Sequence, residues 1–270
     1  MNHLIRNNLK SGYNSVVGAG HPGMKLAQLA MVNLGAGESH EESLRDRELV
    51  GVILTGTCSV TTDRDGAAWN DIGGRTSVFE EKATAFYLPV GAKFRLEAKN
   101  DCSVALCTAP SQLESEPFLV RPQDVCVGHS GVGYYRRDVC DIIRSEHRCQ
   151  HLLVGETYHP PGNWSSYPPH RHEQDNPPLE SKQEEIYHFR ISPASGFGVQ
   201  WIYSDDRSVD AVYVLHDGDT MVIPSGYHPL AVAPGHRMYY LWVMAGNKRE
   251  LIRREDPAYA WMKDADASQR

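Results

Sequence analysis

Nowhere in the 270 residues is there an apolar run approaching the roughly 18 positions a membrane-crossing helix needs. The opening "MNHLIRNNLKSGYNS" also lacks the apolar core of a secretion signal. Basic residues form no stripe, and 27 Lys and Arg against 34 Asp and Glu leave a net charge of −7. Phosphate backbones need clustered cations, so neither nucleic acid nor a membrane is an expected partner. Cys58, Cys102, Cys107, Cys126, Cys140 and Cys149 include no CxxC pair, and a chain of this size does not need disulfides. Reduced thiols and a cytoplasmic location are the expectation. Sustained 3.6-residue periodicity is almost absent, which excludes a helical bundle.

What the chain does contain is short β-branched and aromatic runs separated by Gly, Pro and Asp, such as "LVGVILTG", "EEIYHFRI", "DAVYVLHDGD" and "MYYLWVMAG". Such runs predict an all-β sandwich or barrel. A hydrophobic fraction of 41% is ample for a packed core. One element occurs twice: an apolar strand entering Pro-x-Gly, as Leu88-Pro89-Val90-Gly91 and again as Ile223-Pro224-Ser225-Gly226. Two similar β units, residues 1–125 and 126–270, are therefore expected. Helices are expected only at "ESLRDREL" and around "DPAYAWMKD".

The second unit carries a possible metal site. In "SSYPPHRHEQD", His170 and His172 are separated by one residue, and on a strand positions i and i+2 share a face. First-row ions commonly combine imidazoles with a carboxylate. Glu173 and Asp175 read as loop residues, whereas Glu184 and Glu185 open the next strand on opposite faces. If Glu185 points inward, so do Tyr187 and Phe189. His228 follows the second Pro-x-Gly. An isolated HxH is more often a solvated pair than a ligand pair, and it is the order of these features that argues for a metal.

That order resembles the cupin signature, with two departures. Twelve residues separate His172 from Glu185, more than is usual, and only Tyr227 stands between Gly226 and His228. The longer motifs "GNWSSYPPHRH", "QEEIYHFRI", "YSDDRS", "PSGYHP" and "YYLWVMAG" resemble the 5-deoxy-glucuronate isomerase family. In the first half "GGRTSVFE" and "YLPVG", and after it the segment Tyr135-Arg136-Arg137, fit the same family. The related 5-dehydro-4-deoxy-glucuronate isomerase opens the corresponding strand with Glu-Val-Tyr, which Glu185-Ile186-Tyr187 matches better than Glu184 does.

The resemblance implies a bicupin, two double-stranded β-helix barrels, with His170, His172, Glu185 and His228 as ligands of one divalent ion: zinc, manganese, iron or nickel. The first half has no HxH, and Phe94 follows its Pro-x-Gly, so that barrel is expected to hold no metal. The implied reaction is aldose–ketose isomerisation of 5-deoxy-D-glucuronate to 2-deoxy-5-keto-D-gluconate in myo-inositol catabolism, metal-assisted through an enediolate. Tyr187 and Glu184 are the candidate proton-transfer residues, with Tyr240 as a third. Arg75 and Arg190 are candidates for the substrate carboxylate, and Arg171 is expected to face away. The alternatives are isomerisation of a related uronate, an Fe(II) cupin dioxygenase, and a metal-free sugar-binding module. The expected partner is a small uronate, and flat β faces make a homo-oligomer a further expectation.

Overall fold

The computed structural model describes residues 2–262, and its regular structure is nearly all β. The first half contains β1 (Leu4–Ile5), β2 (Gly12–Val17), β3 (Gln28–Leu34), β4 (Ser39–Ser43), β5 (Arg47–Thr55) and β6 (Thr57–Thr62). It continues through β7 (Ala68–Gly73), β8 (Thr84–Leu88), β9 (Lys93–Ala98), β10 (Cys102–Pro110) and β11 (Phe118–Val120). The second half begins with β12 (Cys126–Ser130), β13 (Arg137–Ile143), β14 (Leu152–His159), β15 (Trp164–Ser165), β16 (His170–Arg171) and β17 (Glu184–Ser192). It ends with β18 (Gly198–Tyr203), β19 (Asp210–Leu215), β20 (Thr220–Ile223), β21 (Leu230–Val232), β22 (Arg237–Ala245) and β23 (Arg254–Glu255).

Two sheet pairs repeat one strand order. In the first half β8-β5-β10-β3 lies within one sheet and β4-β9-β6-β7 forms another. In the second half β20-β17-β22-β14 and β15-β21-β18-β19 have the same sequence of neighbours. Side-chain alternation explains how the sheets stack. On β22, Tyr239, Leu241, Val243 and Ala245 enter a core shared with Val50, Val52 and Tyr87 of the first half. The intervening Met238, Tyr240, Trp242 and Met244 enter a core whose buried members all belong to the second half, with Leu4 of β1 packed against it. On β5, Leu49 and Ile53 likewise turn into a core of the first half alone. The two large sheets are thus buried on both faces, which is why their strands read as unbroken apolar runs. The outer β9 alternates exposed and buried residues as a half-solvated strand should.

The first strand crosses over. β1 pairs with β20 of the second half, so the chain's first residues leave the unit expected for 1–125. β11, which precedes the second unit, pairs with β8 of the first.

The first expected helix does not form, and the second falls partly outside the described residues. "ESLRDREL" is the end of β4, a turn and the start of β5; Arg45 takes a left-handed φ of 43° there, and the Leu44 side chain is buried. Charged residues in a tight strand-to-strand turn mimic the composition of a helix. The C-terminal piece shows a 3-10 turn, Pro257–Tyr259, in which the Asp256 side chain accepts from the Ala258 N–H. Its last residues lie outside the described range. Among the described residues, no helix is long and apolar enough to cross a membrane.

Candidate metal centre

The unusually long stretch between His172 and Glu185 closes on itself. Its ends pair directly: the Gln183 N–H donates to the His172 carbonyl at 2.9 Å, and His172 Nδ1 meets the Gln183 carbonyl at 2.9 Å. Inside the loop, Glu180 Oε1 accepts the N–H groups of Glu173 and Gln174 at 2.6 and 3.1 Å. Arg171 turns away from the barrel interior toward Glu173, Glu180 and Asp205, as alternation requires. The insertion therefore returns the chain to β17 with Glu185 beside His172, and the extra length costs the site nothing.

Each candidate imidazole is oriented by a main-chain carbonyl. Besides the His172–Gln183 contact, His228 Nδ1 lies 2.9 Å from the Gly226 oxygen and His170 Nδ1 lies 3.3 Å from the Pro168 oxygen. A carbonyl only accepts, so Nδ1 carries the proton and Nε2 presents a lone pair, the orientation seen behind metal-bound histidines. Nε2 of His172 is 3.1 Å from Glu185 Oε2, and Nε2 of His228 is 3.4 Å from the same oxygen. His172, Glu185 and His228 offer ligand atoms all within 4.8 Å of one another. His170 stands beside this trio, its ring centroid 5.1 Å from that of His228 and 6.4 Å from that of His172.

The trio is buried, and His228 Nε2 and Glu185 Oε1 have no hydrogen-bond partner. Orphaned polar atoms in a protein interior are costly, and two of them within one His/Glu cluster fit a bound cation. Burial drives His228 down to about 4 and His170 well below the ordinary imidazole value, which keeps both neutral and able to ligate. Burial acts the same way on His172, but the Glu185 carboxylate outweighs it and raises that pKa.

A cavity of 390 Å³ opens onto His170 and Glu185. Tyr187 and Tyr240 form part of its wall, their rings 4.4 Å apart. The Tyr187 hydroxyl lies 3.2 Å from Ser166 Oγ, and that of Tyr240 lies 2.8 Å from Ser165 Oγ. Burial, reinforced by the Glu185 charge, raises the Tyr187 phenol well above its ordinary value, so it stays protonated.

With this geometry established, the comparisons with known proteins are decisive. The profile of the KduI/IolB family matches residues 4–262. The chain belongs to the KduI/IolB family. A curated relative from Geobacillus kaustophilus named 5-deoxy-glucuronate isomerase is 39% identical over 233 residues, 86% of this chain and 84% of that one. One of the same name from Bacillus licheniformis is 37% identical over 97% of this chain and 99% of its own length. An IolB-like crystal structure from Salmonella typhimurium superposes with a TM-score of 0.93 at 33% identity, covering 97% of this chain and all of that one. Oxalate decarboxylase from Lactobacillus farciminis, with a TM-score of 0.69 and 12% identity over 100% of this chain and 92% of that one, shares the cupin fold.

Within this KduI/IolB chain, three expected site residues face elsewhere. Glu184 points from β17 toward the first half, where its carboxylate accepts the N–H groups of Lys25, Leu26 and Ala27 at 2.8–3.1 Å. That removes Glu184 as a base at the cavity. Arg75 is buried between the large sheets, paired with Glu156 at 2.6 Å and donating to the Ile53, Leu54 and Glu81 carbonyls. Its donors are spent on the scaffold. Arg190 sits at the far end of β17, where it pairs with Asp217 at 2.9 Å. Neither arginine lines the cavity. Two others do, Arg137 and Arg253. Neither is among the candidates read from the sequence; Arg137 lies in the family-like segment Tyr135-Arg136-Arg137, and no sequence signal marked Arg253.

Proposed function

We propose that this protein is a metal-dependent 5-deoxy-glucuronate isomerase, which moves the aldehyde of 5-deoxy-D-glucuronate to the neighbouring carbon as a ketone. The observation that carries the reading is the buried His172–Glu185–His228 cluster with its two unpartnered ligand atoms, in a chain that nearly matches its curated relatives end to end. His170, which lines the same cavity, is read as the fourth ligand. A divalent ion held there supplies Lewis-acid polarisation of the aldehyde and its neighbouring hydroxyl. The His and carboxylate donors suit zinc, manganese, iron or nickel.

The isomerisation removes a hydrogen from the hydroxyl-bearing carbon and returns one to the aldehyde carbon, so no redox cofactor is consumed. Tyr187 is read as the chain's proton-handling group. Held protonated beside Ser166, it donates to a substrate oxygen and passes a proton on, and it does not act as a free base. We further read the chain as two cupin units dividing near residues 125 and 126, with the site in the second. Supporting this are the repeated strand order and the separate cores of the two sheet pairs. A cytoplasmic enzyme acting on a small uronate is consistent with six unpaired thiols.

The test is direct. 5-Deoxy-D-glucuronate given to metal-replete protein should show ketone formation by NMR without oxygen uptake, and chelation should stop it. Turnover that survives complete chelation, or that consumes oxygen, overturns the reading. Tyr187→Phe should lower kcat by about 100-fold with KM little changed.

A further inference from the structure

Among the buried arginines, Arg137 has an unusual electrostatic position. Arg75 has Glu156 beside it, and Arg171 has Glu173, Glu180 and Asp205. Arg137 is buried to a similar degree, yet no carboxylate stands within ion-pair distance of it among the described residues. Its Nη1 donates to the carbonyls of Tyr135 and Tyr167, at 3.0 and 3.2 Å, which fixes the guanidinium plane without neutralising its charge. The contrast appears in the acidities: burial lowers the Arg137 value, whereas carboxylate neighbours outweigh burial at Arg75 and Arg171. An unpaired buried cation is costly, and a fold that keeps one has a use for an anion there.

Its location identifies the anion. On β13, Arg137, Val139 and Asp141 alternate onto the face that lines the 390 Å³ cavity shared with His170, Glu185 and Tyr187. Arg253 lines the same cavity, and Arg137, His170 and Arg253 also border an adjoining hollow of 130 Å³. One cavity thus has a His/Glu cluster at one part of its wall and two guanidinium groups at another. A 5-deoxy uronate lacks the hydroxyl needed to close a pyranose ring, so its open chain can present the aldehyde and the carboxylate at opposite ends.

We infer that Arg137, assisted by Arg253, binds the terminal carboxylate of the substrate and sets the specificity for acids over neutral aldoses. The inference rests on the isomerase reading above. The planar guanidinium matches a carboxylate through paired N–H donors, and the two carbonyls behind Arg137 hold it ready.

The test compares 5-deoxy-D-glucuronate with the same chain bearing a hydroxymethyl group in place of the carboxylate. The wild-type enzyme should favour the acid in kcat/KM by about 100-fold or more, the scale of a buried charge pair. Arg137→Met should erase most of that ratio, raising KM for the acid while leaving metal content and kcat/KM for the alcohol within about 3-fold. Arg137→Lys should recover part of the preference, because it keeps the charge and loses the fork. Arg253→Ala, at an exposed position that does not threaten folding, should lower the ratio by about 10-fold. An acid-to-alcohol ratio that is unchanged in Arg137→Met and Arg253→Ala overturns the inference while leaving the isomerase reading intact. Absence of any turnover of the acid by metal-replete wild-type protein instead overturns the isomerase reading.

Discussion

The two halves of the molecule place different chemistry at equivalent backbone positions. Leu88 and Ile223 each end a strand just before the proline of Pro-x-Gly, and the residues paired with them are Leu49 and Glu185. Two positions further along, Gly51 faces Phe86 in the first half and Tyr187 faces Met221 in the second. Past the Pro-x-Gly turn, Phe94 stands in the first half and His228 in the second. The first-half set, Leu49, Phe86 and Phe94, belongs to a hydrophobic cluster. Gly51 makes room for Phe86, whose ring would lie 2.1 Å from an added Cβ. His40, the first-half histidine nearest this region, stacks on Tyr13 and contacts Glu42 on its own strand. The interior of the first sheet pair is filled with hydrocarbon, and that of the second holds buried polar atoms without hydrogen-bond partners.

One residue before these positions, the halves agree. Glu48 accepts the N–H groups of Gln150, His151 and Leu152, entering the second half. Glu184 accepts those of Lys25, Leu26 and Ala27, entering the first. Each unit reaches into the other with a buried carboxylate on three amides, and β1 of the first half adds a further link by pairing with β20 of the second. Neighbouring glutamates on β17 therefore serve opposite purposes: Glu185 faces the cavity and Glu184 joins the units.

The sharpest way to break the contrast is at the cluster. Glu185→Ala should abolish stoichiometric metal by elemental analysis and lower kcat/KM by more than about 100-fold, the upper range for disturbing a mere supporting residue. A variant that keeps its metal would put the site elsewhere. Glu184→Ala should leave metal content untouched and cost about 2 kcal/mol in denaturant unfolding, because the buried Ala27 amide and the less buried Leu26 and Lys25 amides lose their acceptor. Glu48→Ala should match it if the clamps are equivalent, and a large difference between the two would end that symmetry.

A smaller effect separates the halves by pH. Burial holds His188 near 4 and His159 near 3, and both lie in the second half. In the unfolded chain they titrate near 6.5. Their folded values are depressed, so the unfolded state takes up protons first and stability is lost as pH falls from about 6.5 toward 4. At pH 5 His188 alone accounts for about 2 kcal/mol. His188→Gln should flatten the stability–pH curve over that window, and an unchanged slope would contradict the assignment.

Strand content, the repeated Pro-x-Gly element and the inward set Glu185, Tyr187 and Phe189 were legible because a pleated strand has a period of two and turns demand particular residues. The turn at Leu44–Arg45 misread as helix shows the limit, since short charged segments suit either state. Arg75 and Arg190 also looked eligible, because a guanidinium advertises charge without showing which carboxylate it meets.

By itself the sequence determined that the chain is β-rich, that it is repetitive and that the second half carries three histidines and a glutamate in an order suited to one ion. Local periodicity and residue chemistry are enough for that. Only the tertiary structure decided that Glu184 braces the other half of the chain, that Arg75 is spent on Glu156 and that Arg137 has no carboxylate partner among the described residues beside the cavity. Those outcomes depend on which groups meet across distances of tens to more than a hundred residues, and burial makes each such meeting, or its absence, count.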